Sequence, residues 1–127
     1  MATRLHLDTH VVVWLHQGDL EKFSERGAQA IEKHPLVYSP IVLLELRYLF
    51  EIGRIAICED AILADLRQQI GLEVCTSSHL EVTRAACQED WTRDPFDRTI
   101  VAQARMAACP LLSRDRKIQD HYSSAFW

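Results

Sequence analysis

The chain has 127 residues, of which 48% are hydrophobic and 25% charged, and its net charge is −4. That length holds one domain with a substantial core, and no apolar run reaches the roughly 18 to 20 residues of a membrane span. The N-terminal "MATRLHLDTH" lacks the apolar centre of a secretion signal, and the acidic balance argues against nucleic-acid binding by general electrostatics, so a cytosolic single domain over residues 1–127 is expected.

In chain order, "RLHL" (Arg4 to Leu7) is a short strand candidate that runs at once into the helical pattern "DTHVVVWLHQ". A helical stretch "LEKFSERGAQAIEKH" stops at Pro35, and "LVYS" (Leu36 to Ser39) reads as a second strand. Pro40 opens the helix "PIVLLELRYLFEIG", with Pro at its first turn and Gly53 past its end. "CEDAILADLRQQIG" is a further helix closed by Gly71, followed by the strand "LEVCT". "SSHLEVTRAACQEDW" starts a helix from a Ser cap, and "DPFDRTIVAQARMAA" another that Pro110 ends. "LLS" is a last short strand before "RDRKIQDH" and a terminal "AFW". Short apolar strands alternating with helices imply an α/β fold: a parallel sheet covered by helices on both faces, with its functional crevice at the carboxyl ends of the strands. The four cysteines lie far apart without a C-x-x-C pair, so reduced and mostly buried thiols are expected rather than a disulfide framework.

Four acids stand out against this pattern. Asp8 follows "LHL" directly, and Asp115 follows "LLS" with one residue between. In the third helix an apolar stripe runs Ile41, Leu44, Tyr48, Leu49 and Ile52, while Arg47, Glu51 and Arg54 form a solvated face. Glu45 falls within the stripe, where an acid needs a partner or a metal. In "DPFDR", Asp94 fits an N-cap with Pro95 at the first helical position. Asp97 suits a capping-box or helix-dipole acid, yet it lines up with Val101, Ala104 and Ala108, an inward row. Each acid alone also has a structural explanation: Asp8 as a cap, Asp115 as a turn acid beside Arg114 and Arg116. Together they would repel one another unless a hard divalent cation, Mg²⁺ or Mn²⁺, sat among them. These four charges equal the whole net charge, which leaves Arg93, Arg98, Arg105, Arg114, Arg116 and Lys117 free to attract a polyanion. No G-x-S-x-G, P-loop or H-E-x-x-H pattern is present.

In order and spacing, "LHLDTHVVVWL", "SPIVLLEL", "RDPFDRTIVAQA" and "LLSRDRKIQ" resemble the motif blocks of PIN-domain ribonucleases, and most closely the VapC-type toxins of toxin–antitoxin pairs. The resemblance covers nearly the whole chain. It implies a PIN-like three-layer fold and assigns Asp8, Glu45, Asp97 and Asp115 as catalytic acids holding Mg²⁺ or Mn²⁺. Thr9, Ser39 and Ser113 would be polar neighbours that orient the carboxylates, and Ser113 stands where the family more often has Thr. Asp94 matches no catalytic acid. Also implied are hydrolysis of single-stranded or loop RNA to 5′-phosphate and 3′-hydroxyl ends, a homodimer, and an antitoxin whose C-terminal segment covers the site. Three other readings remain: a receiver- or phosphatase-like phosphoryl-transfer domain, which usually carries paired acids at its first strand; a non-catalytic PIN-like binding module, which a missing acid would favour; and a transition-metal site built from His6 and His10.

Overall fold

The first apolar segment forms strand β1 (Leu5–Leu7), whose three side chains are all sealed from solvent. Successive strand side chains point to opposite faces, so this burial means that both faces of the sheet are covered. In this computed structural model, which describes residues 3–127, the chain continues through α1 (Thr9–Gln17) and α2 (Glu25–Lys33) to β2 (Leu36–Tyr38). Then come α3 (Pro40–Glu51), α4 (Glu59–Ile70), β3 (Glu73–Val74), α5 (His79–Cys87) and α6 (Pro95–Met106). Strand β4 (Leu111–Leu112), α7 (Arg116–His121) and β5 (Ala125–Phe126) complete it. Met1 and Ala2, the start of the segment read above for a secretion signal, lie outside the described residues. Among the described residues no helix is long and apolar enough to cross a membrane.

All strand pairs are parallel, in the order β3-β2-β1-β4-β5. From the central β1 the chain builds outward through β2 and β3, then returns to the other side of β1 to lay down β4 and β5. The reversal falls between β1 and β4, which is where α/β sheets open a crevice at their carboxyl ends. Their register pairs His6 with Leu111 and Leu7 with Leu112, so Asp8 and Ser113 leave the sheet side by side. One apolar cluster, with Leu5, Leu7, Val11, Leu46, Ile100 and Leu112 all at 1% exposure or less, packs around this centre.

Several elements differ from the expectation. The segment Leu20 to His34 is not one helix: a single 3-10 turn (Leu20–Lys22) ends at an extended Phe23, and Ser24 caps a new helix by accepting from the Gly27 N–H at 2.9 Å. The "QEDW" end of the fifth helical stretch is not helical, because Glu89 turns away to meet Arg105 and Trp91. The terminal "AFW" supplies the fifth strand. All four cysteines are unbridged, but only Cys75 is buried. On α3 the core takes Val42 and Leu46, while Leu44, Tyr48 and Ile52 are about half exposed. That helix is apolar nearly all round, so spacing alone could not choose the inner face. Arg47 is not simply solvated either, since it pairs with buried Glu59 at 2.6 Å.

Candidate functional site

Asp8 stands at the end of β1, 3% exposed, with its N–H donating to the Leu112 carbonyl at 3.1 Å. Its extended backbone makes it the N-cap of α1, and its carboxylate accepts from the Thr9 N–H at 2.8 Å and from Ser113 Oγ at 2.6 Å. Ser113 in turn accepts from the Asp115 N–H at 3.1 Å, tying the ends of β1 and β4 together. Asp115 caps α7 through the Lys117 N–H at 2.9 Å. Thus the capping role foreseen for Asp8 is real, and Asp115, read as a turn acid beside Arg114 and Arg116, is instead a helix cap that forms no ion pair with either; both side chains still face the common crevice.

Glu45 enters from α3, half-buried in the row Ile41, Glu45, Leu49 beside the core face. Thr9 Oγ donates to its Oε1 at 2.5 Å. Asp97 enters from the first turn of α6, ahead of the fully buried Val101 and Ala104. Ala108, expected in that row, lies beyond the helix end, exposed and at a positive φ of 52°. Asp94 is the cap of α6, accepting from the Phe96 N–H at 2.8 Å and the Asp97 N–H at 3.2 Å. No donor among the described residues hydrogen-bonds the Asp97 carboxylate.

Asp8, Glu45, Asp97 and Asp115 line one cavity of about 410 Å³, together with Asp94, Thr9, His10, Trp14 and Arg54. Burial, followed by the charges of Asp8, Asp94, Asp115 and Glu45, pushes the Asp97 carboxyl up to about 8. Burial likewise pushes Glu45 to about 7, with Asp8 and Asp94 adding to it and the Thr9 hydrogen bond opposing. Two acids that hold protons near neutrality, in a wall of hard oxygen donors, suit a divalent cation that would displace those protons. Among the described residues no three such side chains already converge on one point as a ready-made ligand set, as expected where like charges are uncompensated.

Ser39 differs from its expected place. It is 2% exposed and its Oγ has no hydrogen-bond partner. It lines a neighbouring groove with Ile41, Leu44, Val82 and Gln103, not the acid cavity. Arg54 was not anticipated as a site residue, and His10, considered only as half of a transition-metal pair with His6, lines the acid cavity. His10 Nε2 accepts from the Arg114 N–H at 3.0 Å, which leaves the proton on Nδ1, 3.4 Å from Asp8 Oδ2. His6 does not join it: its ring is buried inside the sheet, with Nε2 unpartnered. A larger cavity, about 500 Å³, lies beside β3, but its two charged side chains, Arg67 and Glu73, pair with each other at 3.4 Å.

The family model of the PIN domain matches residues 5–123, from β1 through α7. Among solved structures the chain is similar to a toxin–antitoxin complex from Klebsiella pneumoniae, with 16% identity, 97% of this chain and 96% of that one covered, and a TM-score of 0.63. It is also similar to VapBC2 from Rickettsia felis bound to a DNA fragment from its promoter, with 15% identity, 97% and 96% coverage and a TM-score of 0.66. PAE2754 from Pyrobaculum aerophilum gives 18% identity, 99% and 91% coverage and a TM-score of 0.61. At such identities these likenesses concern the fold. No curated protein matches the sequence.

Proposed function

Because the chain belongs to the PIN-domain family, we propose that it is a Mg²⁺- or Mn²⁺-dependent endoribonuclease and the toxin of a toxin–antitoxin pair. One observation carries the reading. Carboxylates from two adjacent strand ends and two helices enter a single cavity at the sheet's switch point, and two of them retain protons near neutral pH.

Asp8, Glu45, Asp97 and Asp115 would hold the cation, after Glu45 and Asp97 give up their protons. When bound, it would activate the attacking water and offset the charge that grows on the phosphodiester during in-line displacement. The rest of the work is positional. Ser113 fixes Asp8 and the Asp115 backbone, and Thr9 fixes Glu45. The products would carry 5′-phosphate and 3′-hydroxyl ends.

The toxin assignment draws on the toxin–antitoxin complexes that share the fold. An acidic cavity also suits the entry of a basic antitoxin side chain. The half-exposed Leu44, Tyr48 and Ile52 on α3 suit a second copy in a homodimer. The test is incubation of the pure protein with total and transfer RNA in Mg²⁺, Mn²⁺ or EDTA. Cleavage with either metal and none with EDTA is expected. Cleavage unaffected by EDTA, or none with any metal, would overturn the nuclease reading. Equal toxicity with and without the adjacent gene product would overturn the toxin–antitoxin reading alone.

A further inference from the structure

The structure assigns Arg54 as a residue that grips a backbone phosphate of RNA at the mouth of the acid cavity, next to the phosphate being cut. This rests on the nuclease reading above. Arg54 lines the same cavity as Asp8, Glu45, Asp94, Asp97 and Asp115, yet it forms no ion pair with any of them. Other arginines of this chain are committed within the fold: Arg47 to Glu59 at 2.6 Å, Arg105 to Glu89 at 2.9 Å, and Arg98 to the Thr92 carbonyl at 2.7 Å. Exposed Arg54 is thus a cation placed among carboxylates without being spent on them.

Its position is fixed from below. Gly53 turns the chain at a positive φ of 78°, which ends α3 and aims the next residue back toward the cavity. The Arg54 N–H then donates to the Leu49 carbonyl at 2.8 Å, and the Ile55 N–H shares that acceptor at 3.4 Å. Leu49 and Ile55 themselves line the cavity. The root of the side chain is therefore held, while no hydrogen bond or ion pair among the described residues engages its guanidinium.

A polyanion approaching five carboxylates meets repulsion that a cation on the cavity wall relieves only for the phosphate it contacts. The neighbouring phosphate needs its own donor, and a guanidinium meets two non-bridging oxygens at once. An arginine serving instead as internal counter-ion would already be paired with Asp97, whose carboxylate has no other partner.

The experiment compares the parent, Arg54→Ala and Arg54→Lys on a single-stranded RNA oligonucleotide in Mn²⁺, with melting temperature and Mn²⁺ affinity measured alongside. Arg54→Ala should raise KM about tenfold, the size of one lost charged hydrogen bond, with kcat little changed. The slope of log affinity against log salt should fall by about one. Arg54→Lys should recover most of the KM, and Mn²⁺ affinity should be equal in all three. An unchanged KM and salt slope in Arg54→Ala, with the parent active, would overturn the inference. So would tighter Mn²⁺ binding together with a lower metal-free melting temperature, the signature of an internal counter-ion. A parent that cleaves no RNA with any metal would instead remove the nuclease reading, and the inference with it.

Discussion

Asp97→Asn keeps the shape of the side chain and removes one charge from the cavity, and its effect should reverse sign with metal. In the folded protein the Asp97 carboxyl is raised from 3.8 to about 8. A raised folded pKa means that native protein binds the proton more tightly than unfolded chain does. The stabilisation is complete below about pH 4 and is lost as pH rises toward 8. The unscreened linkage over that span is about 5 to 6 kcal/mol, at roughly 1.4 per pH unit. Solvent reaching this half-buried group and coupling to its neighbours reduce it to about 1 to 3 kcal/mol. Metal-free Asp97→Asn should therefore melt higher than the parent at pH 8, by about 3 to 4 °C per kcal/mol for a domain of this size, and the gap should close toward pH 4. With Mn²⁺ the order should invert. The parent gains up to about 2.7 kcal/mol at a hundred times its dissociation constant, whereas the variant, lacking one ligand, gains less and loses RNA cleavage by orders of magnitude. Differential scanning fluorimetry over pH with and without metal, beside an RNase assay, reads all of this. Equal melting curves at pH 8 and full cleavage would mean that Asp97 only contributes to the helix dipole.

Other substitutions separate the roles of neighbouring groups. Asp94→Asn preserves both capping bonds and should cost little stability, while Asp94→Ala should lose about 1 kcal/mol; in either variant the loss of a nearby charge should bring the Asp97 titration, followed by NMR, below its parent value. Ser113→Ala removes the donor to Asp8 and the acceptor for the Asp115 N–H, so thermal unfolding should show a loss of about 1 to 3 kcal/mol, with weaker Mn²⁺ binding by calorimetry. His6 is lowered from 6.5 to about 4, chiefly by burial; unfolded chain takes up its proton first, so stability should fall between pH 6.5 and 4, by roughly 3 kcal/mol at the lower end. His6→Leu should flatten that acid limb in urea titrations, and an unaltered slope would show the histidine to be accessible.

The central elements were legible because local pattern and tertiary demand agree there. β1, β2 and β4 are short, mostly apolar runs buried at every position but half-buried Tyr38, with His6 their one basic member, so runs of that kind between helix signals read correctly. The acids showed through for the opposite reason: each is a charge set where the pattern asks for a cap or an apolar residue. Where two local patterns fit equally, the reading failed. α3 is apolar around most of its circumference, so the row Leu44, Tyr48, Ile52 was placed inward although the core takes Val42 and Leu46. Arg54 is exposed, as the count of seven residues from Arg47 suggested, but that count could not show that it lines the acid cavity, because Gly53 leaves helical geometry before it. Ser39 follows β2 just as Asp8 follows β1, yet it lines the next groove and its hydroxyl is buried without a partner. β5 is two residues long and exists only because Leu111 and Leu112 pair with it, a partner fourteen residues away that no local window contains.

The site also shows why its stability and its chemistry pull apart. Asp8 is the most buried of the four acids, and it is the one with two strong donors, Ser113 and the Thr9 N–H. Those bonds repay its desolvation inside the fold, so its geometry is set before any ligand arrives. Asp97 is held only through its backbone, by the Asp94 cap, and its carboxylate is left without a donor among four like charges. The fold therefore gives its hydrogen bonds to Asp8 and withholds them from Asp97, the acid whose negative charge a divalent cation would meet under the proposed function. Adding a donor to Asp97 would raise the stability of the metal-free protein and compete with the ion for the same lone pairs. A cavity that is electrostatically unfavourable when alone, and that a divalent cation would relieve, fits the metal-dependent nuclease activity proposed above.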